Sequence, residues 1–279
     1  MANPSLNTHL VFCLISDERV FAARSPAVFN RVMPMAGIKA SYVPFRVAAS
    51  YLGEALRGLK ALNIAGANIT VPYKETVIPY MDALSESANI IGAVNTLAFS
   101  GDQVKGYNTN AIGIMDALEE ADFQPAGKNV LILGAGGAAK AVAFVLKWLK
   151  AEKIFIAGRN AKKTQALAAR VSGTPISFND LAAHGPRMHL IVNATTVSST
   201  AESPEMARTA KALGLSSACE LIYDLNYGRS ANIWQALAEE RDVAFIDGLS
   251  TLSHQARNSL FLWTGIEVDP AHFKKALAG

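Results

Sequence analysis

Amide, hydroxyl and lysine side chains stand where predicted strands end in the first 110 residues of the chain. Asn68, Thr70 and Lys74 lie in ANITVPYKET, Asn95 lies in GAVNTL, and Asn110 lies in GYNTNAIG, where a strand leads into a helix. Amides donate and accept hydrogen bonds, which suits a small polyhydroxylated ligand. A partly buried lysine can have its pKa lowered and transfer a proton. The pattern therefore indicates a small-molecule site with proton-transfer chemistry.

Each of these residues also has a purely structural interpretation. Lys74 alone reads as a surface lysine and Asn95 as a turn residue. Asn108, in the same segment as Asn110, reads as a helix N-cap. Only the joint occurrence of these residues at strand ends favours a ligand site, because ligands of open α/β sheets bind outside the carboxyl ends of the strands.

A glycine-rich segment in the middle of the chain has the order of a dinucleotide site. In NVLILGAGGAAKAV an apolar strand is followed by a turn and a helix start. Glycine lets the backbone turn tightly and approach a pyrophosphate, which binds at the helix N-terminus. The alternative is a turn that binds nothing. The residues predicted to contact the cofactor here are Gly134, Ala135, Gly136, Gly137 and Ala138.

The end of the next strand distinguishes NADP from NAD. An NAD site places an acidic residue there for the ribose 2′-hydroxyl. The segment AGRNAKKT instead has Arg159, Lys162 and Lys163 and no acid. A guanidinium binds a 2′-phosphate through its planar fork, so the sequence favours NADP. A solvated basic helix start is the alternative.

Short apolar runs alternate with amphipathic stretches in two series, which predicts two α/β domains with mainly parallel sheets. The first series contains HLVFCLI, ASYVPFRV and AGANITV, and the second contains NVLILG, KIFIAG, HLIVNAT and ELIYDLNY. We predict a first domain over residues 1–105, completed by C-terminal helices in 249–279. The second domain is predicted over residues 106–248.

Composition narrows the possible functions. The 279 residues are 51% hydrophobic and 18% charged, with a net charge of +3, which favours a globular chain and argues against a nucleic-acid partner. Cys13 and Cys219 lie in apolar runs and are predicted to be buried thiols, without a metal or disulfide. With neither a signal peptide nor a membrane segment expected, the prediction is a cytoplasmic monomer or homodimer.

Taken together, these segments resemble the shikimate dehydrogenase family. NITVPYK, IGAVNTL, GYNTN, GAGGAAKA, YDLNY and DGLSTLSHQA occur in the family's order and spacing. The resemblance implies a substrate domain, a Rossmann-like NADP-binding domain and a deep cleft between them. The implied reaction is reversible hydride transfer between NADPH and the ring carbonyl of 3-dehydroshikimate, or of a related cyclic acid such as quinate.

The resemblance also assigns roles to individual residues. Lys74 matches the family's catalytic lysine. The residues that match or accompany the family's substrate contacts are Ser25, Asn68, Thr70, Asn95, Tyr227 and Gln255. Of these, Gln255 corresponds to the glutamine that holds a ring hydroxyl, and Tyr227 to a tyrosine near the substrate carboxylate. Additional cofactor contacts are predicted at Lys163, Thr195 and Gly248.

Three positions depart from the family pattern. Ala23 replaces the first serine of the carboxylate-binding S-x-S-P motif, with Arg24 beside it as a possible substitute donor. Ser250-Thr251 replaces a Gly-Met pair expected at the nicotinamide. Asn110 replaces an aspartate that partners the catalytic lysine, and an amide neither orients that lysine by charge nor takes up a proton.

These departures leave three explanations open. The chain is a shikimate dehydrogenase with a substituted active-site aspartate, a natural paralogue with another substrate, or a noncatalytic or weakly active protein that binds NADP and a small acid. Three positions differ at once, and a single engineered substitution would not account for them. We therefore favour the paralogue.

Overall fold

The computed structural model describes residues 9–178, 180–181, 187–213, 218–229 and 231–278. The chain divides into two compact units. Unit 1 comprises Met1–Gly113 and Leu252–Gly279, and unit 2 comprises Ile114–Thr251. The divisions fall within two helices. The sequence-based boundaries lie at 105/106, before the first of these helices, and at 248/249, after the first residue of the second. No helix among the described residues is long and apolar enough to cross a membrane.

Unit 1 consists of a six-stranded sheet with helices. Its strands are β1 (Leu10–Ser16), β2 (Ala40–Arg46), β3 (Gly66–Ile69), β4 (Ala83–Leu84), β5 (Thr96–Ser100) and β6 (Gln103–Tyr107). The helices that precede the first division are α1 (Ser25–Met35), α2 (Leu52–Ala61) and α3 (Glu86–Ile91). Short 3-10 helices cover Glu18–Ala22, Ala49–Tyr51 and Ile78–Tyr80.

Unit 2 alternates strands and helices. Helix α4 (Thr109–Glu120) leads into it from unit 1, and the elements that follow are β7 (Asn129–Leu133), α5 (Gly137–Trp148), β8 (Lys153–Ala157), α6 (Ala161–Val171), β9 (Thr174–Ile176), β10 (Leu190–Asn193), α7 (Pro204–Ala212), β11 (Leu221–Asp224), α8 (Ile233–Glu240) and β12 (Ala244–Ile246). Helix α9 (Gly248–Thr264) returns the chain to unit 1, where α10 (Pro270–Ala278) ends the described chain.

The sheet of unit 1 has the order β2-β1-β3-β5-β6-β4 and is mixed. Strand β1 pairs in parallel with β2 and β3, but β3/β5 and β5/β6 are antiparallel. Strand β4 also pairs in parallel with β6, so three of the five pairings are parallel, and the departure from the predicted parallel sheet is the antiparallel strand β5. Only Gly101 and Asp102 separate β5 from β6, and such a connection closes a hairpin, since a parallel pair needs a crossover of a dozen or more residues.

The sheet of unit 2 is parallel throughout, with the order β12-β11-β10-β7-β8-β9. Counted from β7, this is the doubly wound Rossmann order 3-2-1-4-5-6. The order reverses between β7 and β10, whose following turns therefore flank the crevice where such sheets bind ligands. The predicted Rossmann-like α/β architecture is confirmed.

Helix α5 lies closely on its sheet because it presents small side chains. Ala139 and Ala143 are fully buried, and Val145 and Leu146 complete the apolar face. The predicted buried thiols are also confirmed, since Cys13 and Cys219 are both buried. Burial raises the pKa of the Cys13 thiol to about 12, which leaves it an unreactive core side chain.

Candidate active site

A buried amide connects the polar side chains predicted for the first site. Asn95 precedes β5 and is 3% exposed. Its Oδ1 accepts from the backbone N–H of Thr109 at 2.7 Å. Its Nδ2, which has two hydrogens to donate, lies within hydrogen-bond distance of three oxygens: Thr109 Oγ1 at 2.9 Å, Asn110 Oδ1 at 3.1 Å and Gln255 Oε1 at 3.2 Å. Unit 1 thus brings Asn95, Asn110 and Gln255 together, although they are distant in sequence.

Asn68 forms a layer beneath this amide. Tyr42 Oη donates to Asn68 Oδ1 at 2.8 Å, and Asn68 Nδ2 donates to Thr96 Oγ1 at 2.9 Å and to Ser259 Oγ at 3.2 Å. The same Nδ2 donates to the backbone carbonyl of Asn95 at 3.1 Å. With its oxygen and nitrogen both engaged, Asn68 positions the segment around Asn95.

Lys74 lies on the turn that follows β3, and its backbone is tied to the same segment. The N–H of Val94 donates to the Lys74 carbonyl at 2.8 Å, and the N–H of Tyr73 donates to the Thr70 carbonyl at 2.9 Å. Tyr73 Oη donates to the Val47 carbonyl at 2.6 Å. These bonds hold the turn that carries Lys74 and Thr70 beside the residues leading to Asn95.

Burial is the cause of the altered pKa of the Lys74 amine. The side chain is half-buried, and burial lowers its pKa to about 8. No hydrogen bond or ion pair of this amine occurs within the described part of the chain. A neutral fraction near physiological pH makes Lys74 competent to accept or donate a proton.

The start of α1 carries the serine predicted to bind a carboxylate. The N–H of Val28 donates to the Arg24 carbonyl at 3.1 Å, so Arg24 is the N-cap and Ser25 the first helical residue. Arg24 Nη1 donates to the carbonyl of Leu277 at 2.9 Å, which directs this guanidinium to the C-terminal end of α10. Arg24 is therefore engaged elsewhere than at the hydroxyl missing from Ala23.

Asn108 has the structural role considered for it. Its Oδ1 accepts from the N–H of Ala111 at 3.2 Å, which caps α4, and its Nδ2 donates to the Ala93 carbonyl at 3.0 Å. The cap leaves the next residues, Thr109 and Asn110, on the first turn of the helix, where they meet Asn95.

The glycines in the loop after β7 have two different structural roles. Gly134 has φ +116°, and a Cβ there would lie 2.8 Å from the carbonyl oxygen of Ala194, so this glycine allows the turns after β7 and β10 to approach closely. Gly136 and Gly137 are exposed, and a Cβ at either would enter open space. The free N–H groups of the first turn of α5 follow directly, which is the arrangement that binds phosphate.

Basic side chains stand at the end of β8. Arg159, Lys162 and Lys163 are exposed, and no ion pair of these three occurs among the described residues. Asn160 Oδ1 accepts from the Lys163 N–H at 3.0 Å and caps α6. Uncompensated positive charge next to a glycine loop is suited to a 2′-phosphate.

A buried carboxylate that was not predicted from the sequence joins the loops after β10 and β11. Asp224 is 0% exposed. Its Oδ1 accepts from Asn193 Nδ2 at 2.8 Å and from Asn226 Nδ2 at 3.1 Å, and its Oδ2 accepts from Asn232 Nδ2 at 2.7 Å. Thr195 joins the network by donating through Oγ1 to Asn193 Oδ1 at 2.7 Å. The sequence pattern that could have revealed this network is a single acidic residue, Asp224 in YDLNY, together with the asparagines of VNAT and YDLNY.

The remaining predicted positions of unit 2 lie around the start of α9. Gly248 is buried, and its N–H donates to the Asn226 carbonyl at 3.0 Å. Ser250 Oγ donates to Glu120 Oε2 at 2.6 Å, and Thr251 shares a hydrogen bond with the Tyr223 hydroxyl. The Ser-Thr pair is thus engaged within unit 2. Tyr227 is half-buried in the loop after β11.

A cavity of about 420 Å³ lies between α7 and α8 of unit 2. Its lining includes Ala207, Ala210, Ile233, Leu237 and Glu239. No residue predicted for either ligand lines it, so it is separate from the glycine loop and the basic residues.

Both halves of the chain match models of known protein families. Residues 17–97 match the family model described as shikimate dehydrogenase substrate binding domain, and residues 117–250 match shikimate / quinate 5-dehydrogenase. A shikimate dehydrogenase (NADP(+)) from Moorella thermoacetica is 37% identical over 268 residues, covering 91% of this chain and 88% of that protein.

Solved structures give the same result for the fold. A Thermus thermophilus shikimate 5-dehydrogenase in complex with NADP(H) and shikimate is similar with a TM-score of 0.84 and 28% identity, covering 96% of this chain and 98% of that one. A 5-ketofructose reductase of Gluconobacter sp. is similar with a TM-score of 0.81 and 26% identity, covering 98% and 99%. On the sequence matches over most of its length, the chain belongs to the shikimate dehydrogenase family.

Proposed function

We propose that the protein catalyses the NADP-dependent, reversible oxidation of shikimate to 3-dehydroshikimate. The observation that carries the proposal is the half-buried Lys74, with its lowered pKa, on a turn tied to the Asn95 network. Family membership and the named activity of the relatives give the reaction class.

The residues of unit 2 fit NADP. The open space at Gly136 and Gly137, together with the first turn of α5, would receive the pyrophosphate. Arg159 and Lys163 would hold the 2′-phosphate. When bound, the nicotinamide supplies the acceptor or donor of the hydride. Thr195 and Gly248 remain predicted contacts.

In unit 1 the chain's own residues bind the cyclic acid and move the proton. Asn95 holds Asn110 and Gln255 in place, and these two contact ring oxygens. Lys74 accepts the proton of the reacting hydroxyl during oxidation and returns it to the oxygen during reduction. Because Asn110 is neutral, Lys74 works without a carboxylate partner, and its neutral form results from burial alone.

A related cyclic or keto substrate is the second candidate. Ala23 supplies no hydroxyl for a carboxylate, and Arg24 is engaged with the Leu277 carbonyl, so the contacts that would favour an acidic substrate are weakened. A similar fold carries 5-ketofructose reductase activity in Gluconobacter. Quinate and neutral polyols are the substrates that separate this candidate from the first.

The test is the rate of NADP reduction with shikimate, followed by absorbance of the reduced nicotinamide, with NAD as the alternative cofactor. We expect Lys74→Ala to lower turnover by about 10²–10⁴-fold, the usual contribution of acid–base catalysis, while NADP affinity is retained. Lys39→Ala, at an exposed lysine of the same unit, is the matched control and should leave the rate unchanged.

Two results would contradict the proposal. Turnover of quinate or a polyol but not of shikimate would favour the second candidate. A Lys74→Ala variant with undiminished turnover would remove this lysine from the mechanism.

A further inference from the structure

The segment that carries Lys74 is neither a strand nor a helix. Residues 71–77 form a continuous turn between β3 and the 3-10 helix at Ile78–Tyr80. Tyr73 and Val77 are buried in the core of unit 1, whereas Val71 is 49% exposed. Because the outer half of the turn is exposed to water, its position depends on hydrogen bonds to other segments.

Ser16, the last residue of β1, supplies one of these hydrogen bonds. Its side chain is fully buried, and its Oγ donates to the Val71 carbonyl at 2.5 Å. Asp17 Oδ1 lies farther from the same Oγ, at 3.4 Å. A hydroxyl has a single proton to donate, so the Val71 carbonyl is its acceptor. Ser16 thus ties the outer half of the turn to the end of β1.

Two further hydrogen bonds close a circuit around this contact. The N–H of Val47, which follows β2, donates to the Ser16 carbonyl at 2.8 Å. The carbonyl of Val47 accepts from Tyr73 Oη at 2.6 Å. The ends of β1 and β2 therefore hold the turn at Val71 and at Tyr73, immediately before Lys74.

We propose that Ser16 is a positioning residue that, through the Val71 carbonyl, keeps the turn in place and shields the Lys74 amine from water. The inference rests on the proposed function for the role of Lys74 in proton transfer. Burial lowers the pKa of Lys74 to about 8, so an outward movement of the turn would return that pKa toward the ordinary value of a lysine.

The charged groups around the turn leave burial as the controlling factor. The ionisable side chains on the segments joined by the circuit are Asp17, Glu18, Arg19, Arg46, Tyr73 and Glu75. Asp17 pairs with Arg19 at 2.6 Å, and Glu18 pairs with Arg46 at 3.3 Å. Since burial is the cause of the lowered pKa of Lys74, its titration measures how well the turn shields the amine.

Competitive labelling of lysines with acetic anhydride, followed by mass spectrometry at a series of pH values, measures this titration without NADP or substrate. Exposed Lys39 is the internal reference. We expect a pKa of about 8 for Lys74 in the unsubstituted protein, and a pKa higher by about one unit or more in Ser16→Ala. Ser16→Thr retains the hydroxyl and should retain the pKa. Ser50→Ala makes the same change at an exposed serine of unit 1 and should alter nothing.

The rate of shikimate oxidation gives a second readout. Oxidation needs the neutral amine, so Ser16→Ala should lower the rate at neutral pH by about tenfold or more and move the rise of the rate to higher pH. The two shifts, in labelling and in rate, should be equal. A lower rate at every pH with unchanged labelling of Lys74 would show a general structural effect and would overturn the inference.

The remaining outcomes separate this inference from the proposed function. Joint titration of Lys74 and Lys39 in the unsubstituted protein, or the same pKa shift in Ser16→Thr as in Ser16→Ala, would overturn the inference. If Ser16→Ala does not fold, Tyr73→Phe removes another donor of the circuit and retains the ring, and an unchanged pKa there would also overturn it. A protein that shows the expected shift and fails to oxidise shikimate loses the proposed function and keeps the inference.

Discussion

The two units each place a buried polar network at the ends of their strands, but the networks are centred on different groups. In unit 1 the centre is the neutral amide of Asn95, and its partners include the side-chain oxygens of Asn110 and Gln255. In unit 2 the centre is the carboxylate of Asp224, whose partners are amides directed inward. The exposed backbone at Gly136 is then the surface left for a ligand.

This difference separates two ways of building a site. The first unit offers side chains, so single substitutions there should change ligand selection and proton transfer. In the second unit the Asp224 network holds loops in place, while backbone N–H groups and the exposed Arg159 and Lys163 face the solvent, so substitutions of that network should change stability first.

The largest expected effect is on the stability of unit 2. Asp224→Ala removes a charged acceptor from Asn193, Asn226 and Asn232, and we expect the free energy of unfolding to fall by about 3–5 kcal/mol. Asn95→Ala leaves mainly the Thr109 N–H unpaired and should cost about 1–3 kcal/mol. Urea denaturation of both variants measures the two free energies of unfolding. Equal decreases would show that the Asp224 carboxylate stabilises its unit no more than the Asn95 amide does.

A smaller effect distinguishes two glycines of the same loop. Alanine at Gly134 needs φ +116° and approaches the Ala194 carbonyl, so Gly134→Ala should destabilise the fold by about 1–3 kcal/mol. Gly136→Ala meets open space and should retain stability, while its methyl group weakens NADP binding by roughly tenfold or more. Thermal unfolding and NADP titration of both variants provide the comparison. Unweakened NADP binding by Gly136→Ala would argue against the backbone surface proposed for unit 2.

The smallest expected effect is the pH dependence of shikimate oxidation, which is set by Lys74 of unit 1. Burial lowers the pKa of Lys74 to about 8, and oxidation needs its neutral form, so below that pH the rate of shikimate oxidation should rise about tenfold per pH unit and then level off. In Asn110→Asp the nearby negative charge favours the ammonium form and should move the rise to higher pH. An identical profile in both forms would disprove electrostatic coupling between these two positions.

Much of the architecture followed from local sequence patterns. The strand, glycine turn and helix of NVLILGAGGAAKAV predicted β7 and α5, because periodicity and glycine placement act within a few residues. The antiparallel β5–β6 hairpin was not anticipated, since the apolar pattern of a strand does not specify the direction of its partner.

The sequence by itself determined which chemical groups are present: Lys74 without an aspartate at 110, Ala23 without a hydroxyl, and basic residues after β8. Only the tertiary structure decided how those groups are used. It brings Gln255 to Asn95 across 160 positions of sequence, buries Asp224 among three amides and directs Arg24 to the end of α10. The physical reason is that hydrogen-bond direction and burial depend on neighbours supplied by remote segments, and no local pattern encodes those neighbours.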